Sequence, residues 1–222
     1  MAISKEIYKA YEDILGPENI LDDPAVMPAY YKTEFAAVTL PGNTAEVQAV
    51  IKLCNRFKIP FGVVSSGWGA MLPKGCILMD LRRMNRILEI NEKNMYAVVE
   101  PYVINAQLQA ELMKRGLNCN IKGAGSNGSA LLKGHGHMDQ TTGGDDRNYL
   151  AVEWVTPAGD IVRLGSLGHS NQWFCGDGPG PSLRGLISGT VPPGLTPGVF
   201  TRGAQKVYPW PGPAEFPLTG VS

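Results

Sequence analysis

The feature that most restricts what this chain can fold into is a strand–helix–strand run between residues 37 and 64. Residues 37–40 read as a short strand. Pro41-Gly42-Asn43 makes a turn, and Thr44 is placed to cap a helix whose apolar residues Val47, Val50, Ile51, Cys54 and Phe57 recur at helical spacing. Pro60 follows the helix, and residues 61–64 read as a second strand. This is a β-α-β unit. A Gly/Ser turn then leads to residues 77–81, a strand that is apolar apart from Asp80. Upstream, Ser4 can cap a helix over 4–15 with Ile3, Ile7, Tyr11, Ile14 and Leu15 at helical spacing, ended by Gly16-Pro17. Residues 22–37 carry no regular pattern.

The pattern changes downstream. Residues 87–90 and 96–100 bracket the turn Asn91-Glu92-Lys93-Asn94, which predicts an antiparallel hairpin. A helix over 105–115 turns Leu108 and Leu112 inward and closes at Gly116. A second hairpin joins 149–156 to 161–164 through Pro157-Ala158-Gly159-Asp160. Residues 165–181 read as a loop, 183–187 as a short helix, 190–197 as a Pro-rich loop and 199–208 as a last strand. The expected fold class is α+β: a small β-α-β unit followed by a mixed, mostly antiparallel sheet with helices.

Composition narrows the class of work. Hydrophobic residues make up 44% and charged residues 18% of the 222, which is a globular balance and not a disordered one. Twenty basic and twenty acidic residues cancel without forming a Lys/Arg block, which argues against nucleic-acid binding and against a polybasic membrane anchor. No apolar run is long enough to span a bilayer, and the N-terminus has a helical pattern in place of a signal peptide's apolar core. Cys54, Cys76, Cys119 and Cys175 are widely spaced with no C-x-x-C, which points to isolated thiols in a reducing cytoplasm and to no zinc site.

Three segments could carry chemistry. The turn Ser65, Ser66, Gly67, Trp68, Gly69, Ala70, Met71 follows a strand, and its glycines let backbone N–H groups converge on a pyrophosphate; a plain tight turn is the other reading. The long Gly-rich stretch 123–146 contains Lys133, His135, His137, Asp139, Asp145 and Asp146. A loop of that length is usually functional, so it reads as ligand-lining or as an ordinary surface loop. A metal site is not expected there, because an H-x-H pair diverges in an extended chain. Cys175, in Cys-Gly-Asp-Gly-Pro-Gly-Pro, has only His169 nearby in sequence, so a nucleophilic role has little support.

Taken in order, these blocks resemble the FAD-binding domain of the vanillyl-alcohol oxidase and p-cresol methylhydroxylase (PCMH-type) flavoprotein family. The resemblance runs over about residues 38–213. SGWGAMLPKGCILMDL is similar to the family's pyrophosphate loop and following strand, MNRILEIN and AVVEPYV to the next two strands, and GSALLKGHG to its second flavin-contacting stretch. The resemblance implies two α/β subdomains with FAD between them. By matching position, residues 65–71 would hold the pyrophosphate. Pro101, Ser129, Leu132, Lys133 and His137 would lie along the cofactor, and Asp146, Gly198 and Val199 would border it. The loop 65–71 carries no His, and no Cys stands where doubly tethered relatives have theirs, so FAD is expected to be non-covalent.

On this basis the chain divides into a lead-in (1–36), an FAD-binding domain (37–213, with subdomains of about 37–81 and 82–213) and a tail (214–222). The family's catalytic groups sit mainly in a C-terminal substrate or cap domain, so no catalytic residue is assigned in this chain. The expected function is the FAD-binding subunit or domain of an oxidoreductase whose flavin accepts hydride from an alcohol, phenol or 2-hydroxy acid. A flavin-free or electron-relay structural subunit is the alternative. A partner subunit or self-association would cover the open flavin face.

Overall fold

The computed structural model describes residues 3–30, 34–66, 72–119, 125–126, 148–175, 198–210 and 212. The β-α-β reading sets its first sheet. Strands β1 (Ile20–Leu21), β2 (Phe35–Thr39), β3 (Phe61–Val64) and β4 (Cys76–Asp80) lie in the order β1-β2-β4-β3. β4 runs parallel to both β2 and β3, and only β1 is antiparallel. Helix α2 (Thr44–Phe57) carries the chain from β2 across β4 to β3. Strands buried on both faces need apolar side chains at every position. β2 and β4 meet that need except at their last residues, Thr39 and Asp80, with all five residues of each buried. Ile77 and Met79 point to a core shared with Val47, Val50, Ile51 and Cys54 of α2. Cys76 and Leu78 point to the opposite layer, with Phe35, Val38 and Val64.

Helix α1 (Lys5–Leu15) belongs to this first core through Tyr11 and Leu15, and Ser4 Oγ accepts the Ile7 N–H as its cap. At α2 the cap falls one residue earlier than the sequence suggests. Asn43 Oδ1 accepts from Glu46 N at 3.0 Å, and the Glu46 carboxylate reaches back to Gly42 N at 2.8 Å. Asn takes this role as readily as Thr, and Thr44 is thereby left free for a long-range contact described below.

The second sheet comprises β5 (Ile87–Asn91), β6 (Tyr96–Val99), β7 (Leu117–Cys119), β8 (Tyr149–Val155), β9 (Ile161–Gly165) and β10 (Val199–Pro209). Its main order is β5-β6-β10-β8-β9, with β7 also on β10, and every pairing is antiparallel. Both predicted hairpins are present. β10 is long enough, at 11 residues, to serve β6, β8 and β7 along its length. Helix α3 (Asn105–Met113) covers one face with Leu108 and Leu112, which pack on Ala97, Val99 and Val207. It stops two residues short of the predicted end, and Gly116, at φ +69°, makes the reversal into β7.

Two short strands, β1 and β7, lack any sequence signature of their own. A further correction concerns 165–181, read as a loop. Its first part is a short helix, α4 (Ser166–Ser170), whose Leu167 packs with Tyr96, Val98, Ala151 and Ala204 on the face opposite α3. Among its described residues, the irregular stretch 22–37 contains a 3-10 turn, Met27–Ala29, and the start of β2. The helix expected at 183–187 and the loop at 190–197 lie outside the described residues.

The two sheets meet through α2. Thr44 Oγ1 donates to Glu153 Oε1 of β8 at 2.8 Å, Gln48 Nε2 to the Gly159 carbonyl at 2.7 Å, and Asn55 Nδ2 to the Pro157 carbonyl at 2.8 Å. Val155 and Val199 of the second sheet are buried in the first sheet's core. Glu153, only 4% exposed, also accepts from Thr201 Oγ1 at 3.2 Å and faces Arg163 and Arg202 at 3.5 and 3.6 Å.

Candidate functional site

In sheets with parallel strands, ligands gather beyond the carboxyl ends of the strands, where crossovers leave a crevice. Here that edge is where β3 ends and Ser65-Ser66 begin. The Leu81 N–H donates to the Val64 carbonyl at 3.0 Å and holds the ends of β3 and β4 level. Ser65 is buried and Ser66 half-buried.

What they touch comes from the segment between β7 and β8. Ser126 Oγ donates to Ser65 Oγ at 2.8 Å, and the Ser126 N–H donates to Ser66 Oγ at 3.1 Å. Ser126 also forms an antiparallel bridge with Ile104, and the Gly125 carbonyl accepts from Asn105 N at 3.1 Å. The dipeptide Gly125-Ser126 therefore splices the end of β3 to the start of α3. Pro101, buried after β6, opens the turn that leads into α3. Asn148 is fully buried; its side chain accepts from Tyr208 Oη and its carbonyl from Lys206 N, both at 2.6 Å.

Of the residues expected at the site, the structure brings Ser65 and Ser66 into this node and places Pro101 close to it along the chain. Gly198 and Val199 sit elsewhere, where β10 starts against β8. Gly198 has φ +86°, and a Cβ there would run into the Val155 carbonyl and the Trp154 ring, so only glycine fits. Gly67, Trp68, Gly69, Ala70, Met71, Ser129, Leu132, Lys133, His137 and Asp146 lie outside the described residues.

Sequence reasoning missed Ser126 and Asn105. Ser126 was hidden in a Gly-rich stretch with no period. Asn105 reads as an ordinary first helical residue, yet it is 2% exposed, and neither polar atom of its side chain has a hydrogen-bond partner among the described residues. A buried, unsatisfied carboxamide is costly, at about 1–3 kcal/mol, and such groups are rare in folded proteins.

The surrounding charges are arranged in pairs. Asp80, at the end of β4 and 2% exposed, accepts from Arg82 N and from the Arg82 guanidinium. This contact holds the Arg82 pKa above its ordinary value. Glu100, immediately before Pro101 and 1% exposed, is held the same way by the backbone N–H and guanidinium of Arg86. Each buried carboxylate near the node is thus matched by a cation, and neither presents a bare negative charge to an anionic ligand.

Two of the thiols are passive. Burial pushes Cys54 and Cys76 up to about 11, so both stay protonated near neutral pH. His169 is exposed on α4.

FAD, implied by the sequence resemblance, can be tested against this node. Its phosphates carry negative charge and accept hydrogen bonds, and its ribityl hydroxyls both donate and accept them. The residues present are hydroxyls and charge-neutralised carboxylates, at the carboxyl edge of parallel strands. They fit that group.

Comparison with known proteins agrees. The model of a family described as "FAD binding domain" matches residues 35–165. Among curated proteins, the chain is 30% identical to 1'-carboxy-chondrochloren decarboxylase of Chondromyces crocatus, over 81% of this chain and 37% of that protein. It is 29% identical to the flavoprotein subunit of 4-cresol dehydrogenase (hydroxylating) of Pseudomonas putida, over 80% and 38%. Among solved structures, 4-ethylphenol oxidase from Gulosibacter chungangensis superposes with a TM-score of 0.76 at 27% identity, over 93% of this chain and 44% of the other. The chain thus spans less than half the length of these relatives. It belongs to the FAD binding domain family, and its α+β architecture is that of the PCMH-type domain. Among the described residues, no helix is long and apolar enough to cross a membrane.

Proposed function

We propose that this FAD-binding domain is the cofactor-holding part of a flavin-dependent oxidoreductase whose substrate is an alcohol, a phenol or a 2-hydroxy acid. The observation that carries the reading is the node at the carboxyl edge of β3, where Ser65 and Ser66 are hydrogen-bonded to Ser126 from the segment between β7 and β8. The names of two relatives, 4-cresol dehydrogenase and 4-ethylphenol oxidase, favour a phenol within that class.

When bound, FAD supplies a two-electron acceptor for substrate hydride. The chain's own residues bind and orient it. Residues 65–71 hold the pyrophosphate, with Ser65 and Ser66 fixed by Ser126. Pro101, Ser129, Leu132, Lys133 and His137 line the cofactor, and Asp146, Gly198 and Val199 border it. Arg82 and Arg86 keep the buried carboxylates Asp80 and Glu100 neutralised, so that the anionic cofactor meets no uncompensated negative charge. The link is non-covalent. The substrate is held by a further domain or a partner subunit that covers the flavin, and the protein works in the cytoplasm. The domain limits of this unit are residues 37–213.

The test is direct. Purified chain is mixed with FAD, desalted and then acid-precipitated. Flavin absorbance that stays with the protein on desalting and is released by acid is the expected result. Colourless protein after desalting would remove the reading and favour a flavin-free structural subunit. Colour that stays in the acid pellet would overturn the non-covalent assignment alone.

A further inference from the structure

We infer that helix α3 is a detachable anchor. It undocks from the second sheet as a unit while the strands beneath it stay paired, along a seam weakened by two buried carboxamides, Asn105 of α3 and Gln205 of β10. The opening needs no cofactor, so it stands apart from the FAD-binding reading.

Side chains from both partners define the seam. Leu108 and Leu112 of α3 pack on Ala97, Val99 and Val207. Asn105 lies one turn before Leu108, and the three share the buried face of the helix. Gln205 reaches the same layer from the sheet. It is paired in register with Ala97 and stands two residues before Val207, so its side chain leaves β10 on the side that α3 covers. Asn105 is 2% exposed and Gln205 0%. Among the described residues, neither polar atom of either side chain has a hydrogen-bond partner. Each carboxamide therefore costs the docked state stability that an apolar residue would not. Water restores the missing bonds to both once α3 lifts, which offsets part of the lost apolar burial.

The helix has little else to hold it. It is 9 residues long, and Ile104 at its N-cap has no side-chain oxygen to accept a first-turn N–H. A helix that short does not persist in water without its packing, so undocking and melting are one event. Stability is spread unevenly over a folded chain, and units of this kind open with a free energy of their own. The opening has a consequence at the serine node. The Asn105 N–H donates to the Gly125 carbonyl at 3.1 Å, and Ile104 bridges Ser126. When α3 lifts, Ser126 keeps its bonds to Ser65 and Ser66 but loses this anchor.

The test is native-state hydrogen exchange, followed residue by residue by NMR on the purified chain at low urea concentrations. Relative to their intrinsic rates, the hydrogen-bonded amides of 108–113 are expected to exchange about a hundredfold faster than those of β4 and β10, with a weaker urea dependence. Val50→Ala, in the first sheet's core, should speed exchange in β4 and leave α3 unchanged. Asn105→Leu and Gln205→Leu should each slow exchange in α3 about tenfold, because each removes a polar group that gains by opening. Equal protection in α3 and β4, or an α3 that follows Val50→Ala, would mean that the helix opens only with the whole fold, and that result overturns the inference. Separate opening with no slowing in either leucine variant overturns the role of the carboxamides. Should one leucine variant not fold, the other decides, and the urea dependence of the wild type needs no variant.

Discussion

Among the described residues, the first sheet meets the rest of the chain at two places built from different chemistry. At one, α2 lies against the β8–β9 hairpin, and a buried carboxylate, Glu153, gathers Thr44, Thr201, Arg163 and Arg202. Apolar side chains, Val155 and Val199, back it. At the other, three serines and a backbone N–H make two short hydrogen bonds with no formal charge. A charged, apolar-backed contact is suited to hold the sheets together. A small neutral one is suited to set a position without placing a charge beside an anionic ligand. The difference separates what holds the fold from what shapes the site.

The largest effect should come from the charged contact. Glu153→Ala strands the buried hydroxyls of Thr44 and Thr201 and removes the partner of two solvent-exposed guanidinium groups, and should lower unfolding stability by about 3 kcal/mol in denaturant titration. FAD affinity of the remaining folded protein should hold. A large loss of affinity at unchanged stability would erase the division between the two contacts.

Gly198→Ala comes next. Its φ of +86° and the crowding by Val155 and Trp154 should cost about 2 kcal/mol or more. Gly198 stands at the charged contact yet was expected to border FAD, so the variant sharpens the comparison. Weaker FAD binding beyond what stability explains would show that the charged contact also serves the cofactor.

Alkaline pH should act on the first sheet's core through two buried thiols. Cys54 and Cys76 are raised from 9.0 to about 11 by burial. Below about pH 9 both states hold the protons, and stability is unaffected. Above it the unfolded chain releases protons that the folded core retains, so stability falls until about pH 11. The loss should be about 1 kcal/mol per thiol near pH 9.5. A Cys54→Ala, Cys76→Ala chain should show a flatter denaturation midpoint over that range.

The smallest effect is a coupling. Ser65→Ala and Ser126→Ala should each weaken FAD, but the double variant should lose less than the sum, by about 1 kcal/mol. Strict additivity in the binding cycle would mean that the two hydroxyls act separately.

Much of the fold was legible. The period of Val47, Val50, Ile51 and Cys54 marked α2, and the apolar run at 77–81 marked β4, because burial on both faces leaves little choice of residue. The hairpins at 91–94 and 157–160 announced themselves by turn chemistry. The cap of α2 was misplaced by one residue because Asn43 and Thr44 are both competent caps, and only the long-range demand of Glu153 on Thr44 decides between them. β1, β7 and α4 were invisible because two to five residues have no period, and their pairing is set by neighbours distant in sequence. The site was half legible. Ser65 and Ser66 followed from their place after a strand. Ser126 and Asn105 did not, because a hydroxyl pair sixty-one residues apart in the chain and an unsatisfied carboxamide are properties of packing and not of pattern.

The account's central claim is that this chain folds around a site for FAD. The most direct measurement is the thermal midpoint of the purified chain with and without saturating FAD. A ligand that binds only the folded state, at a hundred times its dissociation constant, adds about 2.7 kcal/mol. For a chain of this size that is a rise of roughly 5–10 °C. Such a rise with FAD, and none with an equal concentration of a nucleotide-free aromatic dye, is the predicted result. A midpoint that does not move with FAD would contradict the account.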